Sequence, residues 1–403
     1  MTTILKALKH KQVRHVELLG KVEKTSARLD RRKSKLSALE ATIAELERRL
    51  AEPRKRRGEK GEVVPGRRLA QLIFNPASGR DEQNNAMRLS KIVSSLREHG
   101  IEATIGLKTS GKAARTLARE AVRDGVELIV VAAGDGTIDD VASQLIGTET
   151  VLGLVPIGTM NNVARALGVP LEIDDACALI GMGTTRHIDV GRVHSSQSRH
   201  DEYFLESAGV GLAAIGALAG QALEKRRWRT LPRALQRFFE AKLGKMQVDI
   251  DGVVIEASTR IITVSNAPLM GNNMLAAPGA RMDDGFLDVS IYDGMGDAAL
   301  VGHFMAASAH TPDNLKIYRA RRVTITTDES VLANSDLSIA SERNLIEIEV
   351  VPAALSMIVG NGIGLTIPVG SAPAAPTFAP APAPVRNDAA AQGEAQPSVL
   401  KPS

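Results

Sequence analysis

The sequence predicts an α/β protein: a parallel sheet layered with helices, then a β-rich, sandwich-like domain, with a basic helical extension in front. Three observations predict it. From Leu69 to Leu167 short apolar runs alternate with stretches of helical spacing. Beyond about residue 185 the texture changes to short β-branched runs separated by turns. Residues 1–68 carry 20 Lys+Arg against 9 Asp+Glu, a net +11, and leave the rest of the chain at −7. A basic arm on a mildly acidic body suits an anionic membrane surface, nucleic acid or an acidic partner.

A chain of 403 residues divides naturally into two domains and tails. The expected boundaries are 1–66 for the arm and linker, 67–185 for the α/β domain, 186–365 for the β-rich domain and 366–403 for a tail. In the arm, Leu29, Leu36, Ile43 and Leu50 recur every seven residues, with Leu39 and Leu46 between them and Arg32 breaking the seam. Such a short seam either forms a homodimer or packs back on the body. Pro53 and the RKRRGEKGE run end it. The tail is rich in Pro and Ala and cannot build a core, so disorder is expected there.

Within the α/β domain the expected order is strand Leu69–Phe74, helix Ala86–Leu96, strand Ala103–Leu107 and helix Ala113–Arg123. Strand Leu128–Ala132, helix Ile138–Ile146, strand Val151–Pro156 and helix Asn162–Leu167 follow. Alternation of this kind implies a parallel sheet with helices on both faces. In the second domain strands are expected at Ile188–Val193, Tyr203–Ser207, Gln247–Ile250, Ile261–Ser265, Phe286–Tyr292, Arg322–Thr327 and Ile346–Val351. The basic stretch Lys225–Arg237, with Trp228 and Pro232, reads as helices crossing that domain.

Several classes recede. Aromatic residues make up 3% of the chain, too few for base-stacking platforms, so no nucleic-acid partner is expected. The single Cys177 allows no internal disulfide and no cysteine zinc site, and it reads as a core thiol. The opening MTTILKALKHKQVRH lacks the apolar run of a secretory signal, and the small-residue stretch Ala208–Leu223 is too short for a bilayer of ~30 Å. A cytoplasmic protein is the expectation. Gly106–Lys112 has Walker-type spacing, but Ala113 follows where Ser or Thr is needed. Gly209, Gly211 and Ala214 imitate a dinucleotide fingerprint with no βαβ unit behind it, which points to tight packing.

The chemistry concentrates in VVAAGDGTIDDVA, residues 130–142, where an apolar strand runs through Gly134-Asp135-Gly136-Thr137 into a helix. Glycines let backbone N–H groups approach a phosphate, and the helix N-terminus favours an anion. An aspartate there suits a Mg²⁺ ion that bridges phosphates, or else it caps the helix. Two further strands end in polar, glycine-containing loops: Asn75-Pro76-Ala77-Ser78-Gly79 and Ile157-Gly158-Thr159-Met160-Asn161-Asn162. Loops at the carboxyl edge of one parallel sheet converge on a ligand.

In order and wording, NPASGR, GDGTIDDV and PIGTMNNVARALGVP resemble the catalytic domain of diacylglycerol kinases, a group that includes bacterial lipid kinases and the sphingosine and ceramide kinases. IDVGRV, YFLESAGVGL, APGARMDDGFLDVSI and EIEVVPAALSMIV resemble the second domain of the bacterial members, so the resemblance spans roughly 68–360. It implies an ATP-binding α/β domain, a lipid-binding β-sandwich-like domain, and transfer of the ATP γ-phosphoryl group to a lipid hydroxyl. It places Asn75, Thr109, Gly134, Asp135, Gly136, Thr137, Gly158 and Thr159 at nucleotide-binding positions. Asp135 matches the acid beside the phosphates and a Mg²⁺ ligand, and Asp284 matches a structural Mg²⁺ position. It further implies diacylglycerol or a related lipid as substrate, at the inner membrane surface.

The chain also departs from the family pattern. Ala133 replaces a glycine, Asp140 a glutamate, and Asn162 an aspartate. Where the family carries Asp-Gly-Glu or Asp-Gly-Asp with a general base, this chain has Asn334-Ser335-Asp336. Asparagine cannot accept the proton, which leaves Asp336 as the catalytic carboxylate. The alternatives are a degenerate member acting as a nucleotide- or lipid-binding scaffold, and an enzyme like the NAD kinases, which share a GGDGT-type loop.

Overall fold

The computed structural model describes residues 68–79, 84–194, 201–211, 213, 244–270, 274–294, 296, 315–336 and 341–360, with scattered helical residues between 25 and 45. Most of the basic arm, the stretch 225–237 and the tail lie outside the described residues. Of the arm's seam, Leu29 is exposed, while Ile43 packs against the core of the first domain.

The first domain alternates as expected. It runs β1 (Arg68–Phe74), α1 (Asn85–Glu98), β2 (Ile101–Leu107), α2 (Gly111–Arg123), β3 (Leu128–Ala133), α3 (Asp135–Leu145), β4 (Val151–Pro156), α4 (Asn162–Ala166) and α5 (Ile173–Met182). The strands pair in parallel in the order β4-β3-β1-β2. All six residues of β3 are buried, as expected of a strand covered on both faces. The Ser110 hydroxyl caps α2 by accepting from the Ala113 N–H at 3.2 Å. Helix α5 was not among the expected elements. It buries Cys177, whose thiol is pushed up to about 11 by burial.

The second domain contains β5 (Thr185–His194), β6 (Glu202–Phe204), β7 (Ser207–Gly211), β8 (Gly244–Ile250), β9 (Val253–Thr259), β10 (Ile261–Ser265), β11 (Leu269–Met270) and β12 (Met274–Leu275). It continues with β13 (Leu287–Tyr292), β14 (Leu315–Ala320), β15 (Arg322–Ser335) and β16 (Ser341–Ile358). One antiparallel path runs β14-β13-β10-β7-β15-β16, and the β8–β9 hairpin attaches to the first half of β15. β15 thus serves two faces: Val323–Thr327 pair with β8, and Ala333–Ser335 pair with β7. An irregularity between Thr326 and Val331 turns it from one to the other.

Three differences from the sequence expectations have physical causes. The expected strand Tyr203–Ser207 breaks into β6 and β7, because Leu205 and Glu206 turn their N–H groups toward the Asp336 carboxylate. β15 runs on to Ser335 and β16 to Ile358, because irregularities let long strands change partners. β9 alternates in burial but puts Val254 on its exposed side, and β14 has no two-residue period, so neither reads as a strand from sequence.

The two domains are joined by sheet. Met357 of β16 pairs in parallel with Leu152 of β4, so the last strand extends the first domain's sheet. Buried Asp189 of β5 secures this junction. Its carboxylate accepts the Gly285 N–H at 2.6 Å and the Ala353 N–H at 2.8 Å, and Ala353 sits at φ 51 in the β16 irregularity.

Candidate active site at the domain junction

The loops after β1, β3 and β4 meet at one edge of the parallel sheet. Their contact is backbone on backbone. A Cβ on Gly158 would lie 2.4 Å from the Gly134 Cα and 2.7 Å from Asn161 Oδ1, so neither loop tolerates a side chain there. The third loop is bonded to both. The Ser78 hydroxyl accepts the Gly134 N–H at 3.2 Å, and Arg88 donates to the carbonyls of Ser78 at 3.0 Å and Ile157 at 3.1 Å. Gly136 is different: it is exposed, and an added Cβ would meet nothing within 4 Å. The fold does not require glycine at 136, and its absent side chain leaves the N-terminus of α3 open.

Donors gather around that opening. Thr137 Oγ1 accepts from Asn75 Nδ2 at 2.9 Å and from Lys108 Nζ at 2.8 Å. Asp140 accepts from Lys108 at 3.2 Å and Arg115 at 2.9 Å, so two cations face one carboxylate beside a helix N-terminus. Thr109 and Thr159, in the neighbouring loops, are exposed.

Behind the opening the charge reverses. Asp135 Oδ1 accepts the Val163 N–H at 3.3 Å. Burial raises its pKa, while hydrogen bonds from the backbone of Val163, Asn162 and Asn161 work against that rise. Across the junction, Asp336 is gripped by three consecutive N–H groups: Leu205 at 3.0 Å, Glu206 at 2.6 Å and Ser207 at 3.1 Å. Burial pushes Asp336 up to about 7 against those bonds, and the charge of Asp135 adds to the rise. Its carboxylate is thus turned onto the β6–β7 turn, within electrostatic reach of Asp135.

Two further acids complete the cluster. Asp139 of α3 is buried, and its Oδ1 has no hydrogen-bond partner. Burial, then Asp336, Asp135 and Asp140, hold its pKa well above the carboxylate range, with Lys108 opposing. Glu206 is buried and accepts from Asn162 Nδ2 at 2.8 Å. Burial, then the charges of Asp336, Asp135 and Asp139, raise it well above its ordinary value. Four carboxyl groups in electrostatic contact cannot all ionise. The site is built to hold protons or to receive a cation.

The structure thus brings Asn75, Gly134, Asp135, Gly136, Thr137 and Gly158 together with Asp336. Asp284 stands apart from them. It accepts the Phe286 N–H at 3.1 Å and is ion-paired with Arg319, whose guanidinium lies 4.4 Å from the centre of the Phe286 ring. The positive charge that meets Asp284 is an arginine, which does not suit a divalent cation. Asn334 lies against Gly209, near Glu202 and Arg343 in the sandwich interior. The sequence reading missed Lys108, Arg88, Asp139 and Glu206. Lys108 adjoins Thr109 and Glu206 lies inside YFLESAGVGL, but no motif distinguishes a buried acid from a solvated one.

Comparison with known proteins agrees with this architecture. Residues 70–193 match the diacylglycerol kinase catalytic domain, and residues 208–359 match the YegS C-terminal NAD kinase beta sandwich-like domain. A diacylglycerol kinase of Bacillus subtilis (strain 168) is 27% identical over 283 residues, covering 66% of this chain and 88% of that protein. A probable YegS-like lipid kinase of Pseudomonas aeruginosa is 32% identical over 218 residues, covering 53% of this chain and 69% of its own length. A crystal structure of a diacylglycerol kinase from Bacillus anthracis str. Sterne shares the fold with a TM-score of 0.58 at 22% identity, covering 72% of this chain and 97% of that one. A two-domain match of this extent has one reading: the chain belongs to the diacylglycerol kinase catalytic-domain family of lipid kinases.

Proposed function

We propose that this chain is an ATP-dependent kinase that transfers the γ-phosphoryl group to a hydroxyl of diacylglycerol or a related lipid. The observation that carries the reading is the junction itself. Two carboxylates, one from each domain, are held by backbone amides in one acidic cluster beside an open, donor-lined helix N-terminus. Phosphoryl transfer depends chiefly on positioning and on charge compensation. The triphosphate lies over the start of α3, where Asn75, Lys108 and Thr137 supply donors and Gly136 leaves room. Asp336, ionised above about pH 7, accepts the proton of the lipid hydroxyl as its oxygen attacks phosphorus.

Among the described residues no three His, Cys, Asp or Glu side chains form a metal cage. Mg²⁺ commonly takes one or two carboxylates together with substrate phosphates, so Asp135, with the unpartnered Asp139 Oδ1 behind it, fits such an ion. When bound, Mg²⁺ neutralises charge on the transferred phosphoryl group. Asp284, facing Arg319, does not fit such an ion.

The lipid reaches the site from a bilayer. Among the described residues no helix is long and apolar enough to cross a membrane. We assign surface attachment at the inner membrane to the arm, which carries net +9 over residues 1–66, at about 1 kcal/mol per basic residue near anionic lipid. Deleting residues 1–66 should weaken binding to anionic vesicles, with the difference shrinking as salt rises. Salt-insensitive binding would instead point the arm toward a homodimer seam.

The direct experiment offers purified protein labelled ATP and a panel of diacylglycerol, monoacylglycerol, ceramide, sphingosine, undecaprenol and NAD. Phosphorylated diacylglycerol or a relative is expected. Labelling of NAD alone would replace the lipid reading. ATP binding without transfer to any acceptor would favour the scaffold reading, to which the loss of acid at Asn334 lends weight.

A further inference from the structure

Two short backbone segments hold the two functional carboxylates, and a side-chain bond connects those segments. Residues 161–163 turn their N–H groups toward Asp135, and residues 205–207 turn theirs toward Asp336. The bond between them runs from Asn162 Nδ2 to Glu206 Oε2, at 2.8 Å.

We propose that Glu206 is a positioning residue whose bond to Asn162 sets the placement of Asp336 relative to Asp135. The consequence for turnover rests on the phosphotransfer reading above; the geometry does not. The N–H, the carbonyl and one carboxyl oxygen of Glu206 are committed to this junction. Its N–H makes the shortest of the three bonds to Asp336, at 2.6 Å. Its carbonyl accepts the N–H groups of Asn266 at 2.9 Å and Ala267 at 3.1 Å, tying it to the end of β10. Its side chain reaches into the other domain.

Its surroundings decide its protonation state. Glu206 is buried, and its charged neighbours in the cluster are Asp336, Asp135 and Asp139. Burial and those neighbours favour its neutral form, in which a carbonyl oxygen accepts from Asn162. Glutamine reproduces that neutral, accepting form. Alanine removes the bond and leaves the Asn162 amide without it. Asn162 opens the short helix α4, so slack in this bond loosens the N–H groups directed at Asp135 as well.

Amide hydrogen exchange on the full, ligand-free chain tests the coupling without reference to activity. N162A should speed exchange in the peptide spanning 205–207 by about 10-fold, although the altered residue belongs to the other domain, and E206A should do the same at 161–163. Exchange within about 2-fold of wild type at the distant segment in N162A would overturn the proposal, even if E206A failed to fold. Turnover supplies the second reading. E206A and N162A should each lower kcat by about 30-fold with KM for ATP little changed, and the double variant should be no worse than either single one. E206Q should restore kcat to within about 5-fold of wild type. Multiplying losses in the double variant, or E206Q as impaired as E206A, would also overturn it. If wild-type protein phosphorylates no lipid while exchange remains coupled, the kinase reading fails and the coupling stands.

Discussion

Asp135 and Asp336 are held by the same device, a run of three backbone N–H groups, yet they stand in different surroundings. The Asp135 side opens on solvent through exposed Gly136, with Lys108 and the α3 N-terminus close by. The Asp336 side is enclosed by Glu206, Asp139 and the β6–β7 turn. Amide donors alone would favour the ionised form in both places. Burial raises both carboxyls against those donors, but Asp135 lies next to the opening, where it can meet the counter-ion of a phosphate. Asp336, among other acids, is driven up to about 7, where it can exchange a proton near neutrality.

The most severe way to break this pairing is Asp135→Ala. Transfer should fall by more than about 10³-fold, because the charge beside the phosphates is gone while the loop's backbone donors remain. Circular dichroism should show an intact fold. Near-normal turnover would remove the ATP site from this loop.

Asp336→Asn should cost about 10²–10³-fold in kcat with ATP affinity almost unchanged, the usual range for a lost general base. The pH profile sharpens the distinction. The ionised form is the active one, so wild-type kcat/KM should drop as pH falls through about 7. The Asn variant's residual rate should lack that step, and an unshifted step would exclude Asp336 as the base. Asn334→Asp offers a complementary gain-of-function check, since it restores an acid to the segment.

Two glycines of the open side separate packing from binding. Gly158→Ala drives a Cβ to 2.4 Å from the Gly134 backbone and should cost about 1–3 kcal/mol in denaturant unfolding. Gly136→Ala meets no atom and lies in a helix, so stability should hold or rise by up to ~1 kcal/mol. Its methyl should nevertheless raise KM for ATP several-fold. Equal ATP kinetics in Gly136→Ala and wild type would show that the opening over α3 is not where nucleotide sits.

The smallest effect comes from an acid outside the site. Asp288 on β13 is pushed up to about 7 by burial, with Arg319 opposing, and its Oδ1 has no hydrogen-bond partner. Its folded pKa exceeds the unfolded value of ~3.9. Its contribution to stability is therefore full below pH 4 and is lost as pH rises toward 7. Asp288→Asn should be more stable than wild type at pH 8, by about 1–2 kcal/mol, with the gap closing toward pH 4. A gap independent of pH would mean that Asp288 does not titrate on folding.

Much of the first domain was legible because its signals are local. An apolar run such as Leu128–Ala133 followed by Gly134-Asp135-Gly136-Thr137 declares a buried strand, a tight turn and a helix start within ten residues. Helix α5 escaped because its apolar run Cys177–Ile180 is too short to show a helical period. The second domain was harder to read. β15 changes partners partway along, and no property of Arg322–Ser335 alone says that its start will pair with β8 and its end with β7.

The sequence by itself determined the α/β-then-β architecture, the three glycine loops and the presence of an acid at 336 in place of one at 334. Each follows from residue type and spacing over a few positions, where backbone sterics and side-chain chemistry act directly. Only the tertiary structure decided that Asp336 would be gripped from 130 residues away by Glu206, that Glu206 would reach Asn162, and that Arg319 would take the carboxylate of Asp284. These are long-range pairings. Their partners are chosen by how the sheets close and which charges burial forces together, and neither is written in the neighbourhood of any one residue.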